Sequence, residues 1–117
     1  MTLQKLPEVV ASRLDEQSLQ VDLFVSEDIV YFKGHFDSHA LLPGVVQLDW
    51  VLHFFKLHFC PNFTFLGSDV IKYQQPILPN THVTLQIEWQ PQRSKVVFKY
   101  VSLTGTHASG KIKVMVK

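Results

Sequence analysis

The sequence predicts an α+β domain, one antiparallel sheet wrapped around a single long helix. Three observations lead there. Period-two apolar alternation occurs on both sides of one helical stretch, that stretch opens on Pro43-Gly44, and Pro76, Pro79-Asn80, Pro91 and Gly105 break the remaining apolar runs at strand-length intervals.

Leu19, Val21, Leu23 and Val25 alternate with Gln20, Asp22, Phe24 and Ser26, the pattern of a strand with one buried face. A strand over Leu6 to Ser12 is expected to pair with it. After a loop from Gly34 to Leu42, Pro43 suits a helix start because its missing N–H and fixed φ do no harm there, and a helix over Gly44 to Phe59 follows. Strands are then expected over Phe65 to Gln74, Val83 to Gln90, Lys95 to Leu103 and Lys111 to Val116.

At 117 residues the chain reads as a single domain, 1–117, short enough that a second subunit would add to its stability. With 46% apolar and 18% charged residues it has the composition of a globular chain. The 11 basic and 10 acidic side chains are scattered along it, and the net charge of +1 makes no electrostatic case for nucleic acid or an anionic membrane as partner. Cys60 is the only cysteine, so no intrachain disulfide forms, its expected role is buried packing, and a reducing cytoplasm is the expected compartment. Gln47, Asp49, His53, Lys56 and His58 interrupt the most apolar segment, so neither a signal peptide nor a membrane span is read. Asn62-Phe63-Thr64 matches a glycosylation acceptor, read here as coincidence.

At 100° per residue the apolar side chains between Val45 and Phe59 point almost everywhere, so the helix is expected to be buried on most sides. Asp49, His53 and Lys56, at i, i+4 and i+7, form a narrow polar stripe, with Gln47 and His58 opposite. A carboxylate on a buried helix costs several kcal/mol unless it meets a partner or gives up its charge, roughly, which marks Asp49 for explanation. The bland alternative is pairing with His53 or Lys56 along the helix, with His35 an ordinary loop histidine.

Phe32-Lys33-Gly34-His35-Phe36 precedes Leu41-Leu42-Pro43-Gly44-Val45-Val46-Gln47-Leu48-Asp49, and His35 and Asp49 stand fourteen positions apart. A base, a carboxyl group and a helix-start N–H could meet here as an acid/base site. Together with Lys72-Tyr73-Gln74-Gln75-Pro76-Ile77-Leu78-Pro79-Asn80, these blocks resemble the FabA/FabZ-type 3-hydroxyacyl-acyl carrier protein dehydratases. The resemblance covers about Tyr31 to Thr81, and the C-terminal strands match as pattern only. Because the acid is Asp and the chain is short, it looks closest to the ApeI-like thioester dehydratases.

The resemblance implies the hotdog fold, in which paired subunits build each active site from a histidine of one and an acid of the other. A homodimer is expected, with a heterodimer with a related hotdog subunit as the variant. It further implies that His35 removes the C2 proton of a 3-hydroxyacyl thioester, that Asp49 assists departure of the 3-hydroxyl as water, and that the Gly44 N–H stabilises the developing enolate. Phe36, Pro43, Val45, Trp50 and His53 are the implied substrate contacts. Trp50, Phe54 and Phe55 are candidate acyl-tunnel liners, each of which also reads as ordinary core. No cofactor and no metal is implied. An acidic acyl carrier protein is the implied partner, with Lys33, Lys72, Arg93 and Lys95 as landing-site candidates.

Asp37-Ser38 and Ala40 stand where the family has a Pro-Gly pair and a further proline, and His53 stands where many members have glutamine. A loop of different shape is therefore expected, with a possible His53–Asp49 pair, and His39 is read as solvated. The implied pathway is fatty acid or aryl polyene-like biosynthesis. Two alternatives stay open: a hotdog acyl thioesterase, and a non-catalytic partner subunit of a dehydratase heterodimer. The six histidines form no established metal-ligand signature.

Overall fold

In a computed structural model of the chain, residues 3–32 and 40–117 are described. The elements run β1 (Glu8–Leu14), β2 (Ser18–Val25), α1 (Gly44–His58), β3 (Phe63–Tyr73), β4 (Thr81–Gln90), β5 (Lys95–Ser102) and β6 (Gly105–Val116). Short 3-10 turns at Val30–Phe32 and Pro91–Arg93 link them. All strand pairs are antiparallel, and the sheet order is β1-β2-β4-β5-β6-β3.

The helix has the expected start and stops one residue early, at His58. Period-two alternation drives the central strands: Leu19, Val21, Leu23 and Val25 of β2, Val83, Leu85 and Ile87 of β4, and Val96, Phe98 and Tyr100 of β5 are all buried. They meet Val46, Trp50, Val51, Phe54 and Phe55 of α1 in one core. Two polar side chains enter it with partners: the Trp50 indole N–H donates to the Lys5 carbonyl (3.1 Å) and the Tyr100 hydroxyl to the Gln47 carbonyl (2.6 Å). Cys60 is buried as expected, its Sγ 3.1 Å from the Asn62 carbonyl.

Three expectations need correction. β6 begins at Gly105 and not at Lys111, because its polar first half is held by hairpin pairing with β5, Ser102 opposite Gly105, and not by an apolar pattern. β1 is displaced toward Leu14 and exposed along its whole length, so no burial pattern sets its register. The helix is not buried on most sides: Val45 (66% exposed) and Leu57 (65%) lie open, as do Asp49 and Lys56, because one sheet covers one flank of a cylinder.

Candidate active site

Pro43 precedes the helix with no side-chain cap, and its carbonyl accepts from the Val46 (3.1 Å) and Gln47 (3.2 Å) N–H groups. The N–H of Gly44, in the first turn, has no acceptor within the helix, and the positive end of the helix dipole lies there. The Leu42 N–H donates to the Ile77 carbonyl (2.8 Å), tying the approach to α1 to the segment after β3.

Beside this start lies a cavity of about 350 Å³ lined by Leu41, Leu42, Gly44, Gln47, Tyr73 and Gln74 to Pro76. Tyr73 ends β3 with its ring over Gly44: a Cβ at Gly44 would fall 2.6 Å from Cζ and 2.8 Å from Oη. Glycine lets the tyrosine approach this closely, an addition to the expected approach of substrate. Burial raises the Tyr73 phenol pKa, so it stays protonated near neutrality. Gln47, expected merely opposite the polar stripe, is buried; its Nε2 donates to the Leu42 carbonyl (3.2 Å) and its Oε1 has no partner among the described residues.

His107 braces the same wall. Its backbone carbonyl accepts from the Gln74 (2.9 Å) and Gln75 (3.2 Å) N–H groups, and its Nδ1 lies 3.1 Å from the Pro76 carbonyl. A carbonyl can only accept, so Nδ1 donates to it, and in the neutral ring Nε2 then accepts from the Ser102 hydroxyl (2.6 Å). Sequence reading missed Tyr73, Gln47 and His107 as site-forming residues. Tyr73 and Gln47 fell inside quoted blocks, but no local signal announces that they meet.

Asp49 is placed otherwise than expected. It is exposed and makes no hydrogen bond or ion pair with any described residue, so the buried, paired carboxylate is not found among the described residues. Nor does it bond His53, whose pKa is lowered by burial and then by the nearby His58 and Lys56 charges, keeping the ring neutral near pH 7. Gly44 and Asp49 are five positions apart, hence about 140° apart around the helix, so one chain does not turn both toward one point. Val45 is exposed on the side of Asp49, and Pro43 is half-buried. Trp50, Phe54 and Phe55 are core residues, Phe55 edge-on to Phe63 and Trp89. His35 and Phe36, with Lys33, Asp37, Ser38 and His39, lie outside the described residues.

The ApeI-like family model, described as ApeI dehydratase, matches residues 11–111. The chain belongs to the ApeI-like dehydratase family. Similar solved structures span nearly its whole length. A chain of the dehydratase heterocomplex ApeI:P from Xenorhabdus doucetiae is 30% identical, with a TM-score of 0.88 and coverage of 94% of this chain and 98% of that one. An uncharacterized protein from Erwinia carotovora subsp. atroseptica is 38% identical, with a TM-score of 0.82 and coverage of 95% and 97%. An R-hydratase from Pseudomonas aeruginosa shares the fold at 9% identity, with a TM-score of 0.62 and coverage of 88% and 82%. The ApeI-like chain thus has the hotdog fold that its sequence resemblance implied. No helix among its described residues is long and apolar enough to cross a membrane.

Proposed function

We propose that this ApeI-like chain dehydrates 3-hydroxyacyl thioesters, carried on an acyl carrier protein, to trans-2-enoyl thioesters in fatty acid or aryl polyene-like biosynthesis. Family membership supports the reaction class, and one geometric observation supports the site. Asp49 stands exposed on a helix face turned away from the start at Gly44. In this reading a complete site takes the acid from one subunit, and the helix start and His35 from another.

In that assembled site His35 removes the proton from C2, and the C–H electron pair becomes the C2–C3 double bond. Asp49 hydrogen-bonds the 3-hydroxyl and protonates it as the C3–O bond breaks, so water leaves. The Gly44 N–H, at the positive end of the helix dipole, holds the thioester oxygen while it carries enolate charge. Phe36, Pro43, Val45 and His53 contact the substrate, and Trp50 backs them from the core. No cofactor enters the elimination.

The partner is a second hotdog subunit, the same chain or a related one. β3 is an edge strand of 11 residues with Phe65, Leu66, Val70 and Tyr73 exposed, and an uncovered edge of that length invites pairing. The Xenorhabdus doucetiae relative is part of a dehydratase heterocomplex, which favours a second reading in which this chain is one half of a mixed dehydratase and the other half completes the chemistry.

The deciding experiment follows interconversion of 3-hydroxyacyl and trans-2-enoyl carrier thioesters by the protein alone and with a related subunit. His35→Ala and Asp49→Asn are each expected to lose at least about 10²-fold in turnover. Full turnover in either variant sinks the assignment. Release of free thiol without enoyl product makes the protein a thioesterase, and activity carried wholly by the added subunit makes it the non-catalytic partner.

A further inference from the structure

The sheet keeps apart charge that is already uneven along the sequence, acidic in its first strands and basic in its last. β1, β2 and the segments beside them hold Glu8, Asp15, Glu16, Asp22, Glu27 and Asp28 against Lys5 and Arg13. β5, β6 and the end of β3 hold Lys72, Lys95, Lys99, Lys111 and Lys113 against Asp69. With the order β1-β2-β4-β5-β6-β3, these groups occupy opposite ends of the sheet.

Register puts the five lysines on one face. Val96, Phe98, Tyr100, Ile112 and Val114 point into the core, so the alternate positions Lys95, Lys99, Lys111 and Lys113 point away from α1. Lys72 joins them, paired in register with Ser109. Lys95 and Lys113 are cross-strand partners, an unfavourable like-charge pair, and Asp69 lies between them with its carboxylate 2.9 and 3.1 Å from their ammonium groups. Those hydrogen bonds hold its pKa below the ordinary carboxylate value. Lys72, Lys99 and Lys111 have no carboxylate partner among the described residues. They rim a groove of about 600 Å³ with Val70, Val97 and Gly110 among its lining residues.

We propose that this face of β3, β5 and β6 docks an acidic protein, the carrier that bears the thioester, with Lys72, Lys99 and Lys111 meeting its carboxylates and the apolar floor meeting its nonpolar side chains. This rests on the carrier-bound reading above. A cationic rim around an apolar floor is complementary to an acidic amphipathic surface. A compact acidic partner can cover the basic end alone, whereas an extended polyanion would run toward the acidic β1–β2 end and be repelled there. A second copy placing its acidic end on this face would make a heterologous contact, which builds rings or filaments, and self-association is read separately in the test.

The test uses the whole protein, with its partner subunit if it has one, and the variant Lys72→Glu/Lys99→Glu/Lys111→Glu. Two substrates bearing the same acyl group are compared, one on acyl carrier protein and one on free pantetheine. The variant is expected to lose at least about tenfold in kcat/KM, and its salt dependence, for the carrier substrate only. Asp69→Asn, which unmasks Lys95 and Lys113, is expected to raise kcat/KM for the carrier substrate. Equal loss on both substrates, or no loss on either, overturns the proposal.

If the wild type turns over neither substrate, the dehydratase reading fails, and docking is read separately by titrating acyl carrier protein onto wild type and variant. Binding about tenfold weaker in the variant supports the docking face, and equal binding overturns it. Charge reversal that abolishes nucleic-acid binding or self-association while carrier binding is unchanged also overturns it.

Discussion

Gly44 and Tyr73 illustrate how little room the candidate site leaves. With the tyrosine ring tip 2.6 Å from where a Cβ would be, Gly44→Ala must move Tyr73, and the side chain can only swing at its free end. Stability is expected to change by less than about 1 kcal/mol, since a flexible tip yields cheaply. Turnover is expected to fall at least about tenfold, because misplacement by about an ångström beside reacting atoms is costly. Adding Tyr73→Ala should return part of the lost kcat/KM. Thermal midpoints and steady-state rates of the single and double variants check this, and an unimpaired Gly44→Ala enzyme would remove Tyr73 from the site's geometry.

Asp49 was legible as chemistry but not as an environment. The fourteen-residue offset and the Pro-Gly start marked it. Whether a helical carboxylate is buried depends on which flank of the helix the sheet covers, and periodicity cannot say that when apolar residues lie on every side. The structure puts Asp49 on the exposed side of α1, with no hydrogen-bond or ion-pair partner among the described residues.

Among the elements, β3 carries the most consequence because β6 is its one strand neighbour among the described residues. Their register shifts between Ser68 and Ile71, and Gly110 sits against that irregularity. A Cβ at Gly110 would meet the Val70 carbonyl oxygen at 2.8 Å and the Ile71 Cα at 3.2 Å, backbone atoms that cannot turn aside. Gly110→Ala should therefore destabilise the fold by about 1–3 kcal/mol, read as a lowered denaturant midpoint. An unchanged midpoint would mean that β3 adjusts freely.

The central strands were readable because one buried face imposes a period, and the helix because Pro43-Gly44 marks its start. β1 and the first half of β6 were read less well, because pairing with a neighbour, and not burial, holds them in place.

At the scale of the molecule, the open β3 edge and the exposed Val45 and Leu57 of α1 predict association. Sedimentation equilibrium of the purified chain, alone and mixed with a related subunit, is expected to give a dimer in at least one case. Replacing exposed Leu66 and Val70 of β3 with lysine should shift that equilibrium toward monomer, as charge on an edge strand does. A chain monomeric under both conditions would leave the shared site without its second half.

Charge tells the same story of scale. A net charge of +1 made no case for nucleic acid or an anionic membrane, and the landing-site candidates for an acidic carrier included Lys72 and Lys95 but not Lys99, Lys111 or Lys113. Strand order, a long-range property, gathers these onto one face.

Local rules were enough for the helix start at Pro43-Gly44, the alternating cores of β2, β4 and β5, and the spacing of His35 and Asp49, because periodicity and turn chemistry act over a few residues. Contacts between distant segments settled the rest: the Tyr73 ring over Gly44, His107 bracing Pro76, Asp49 turned outward and one basic sheet face. Each depends on which strands become neighbours, and that is set by the packing of the whole sheet against α1.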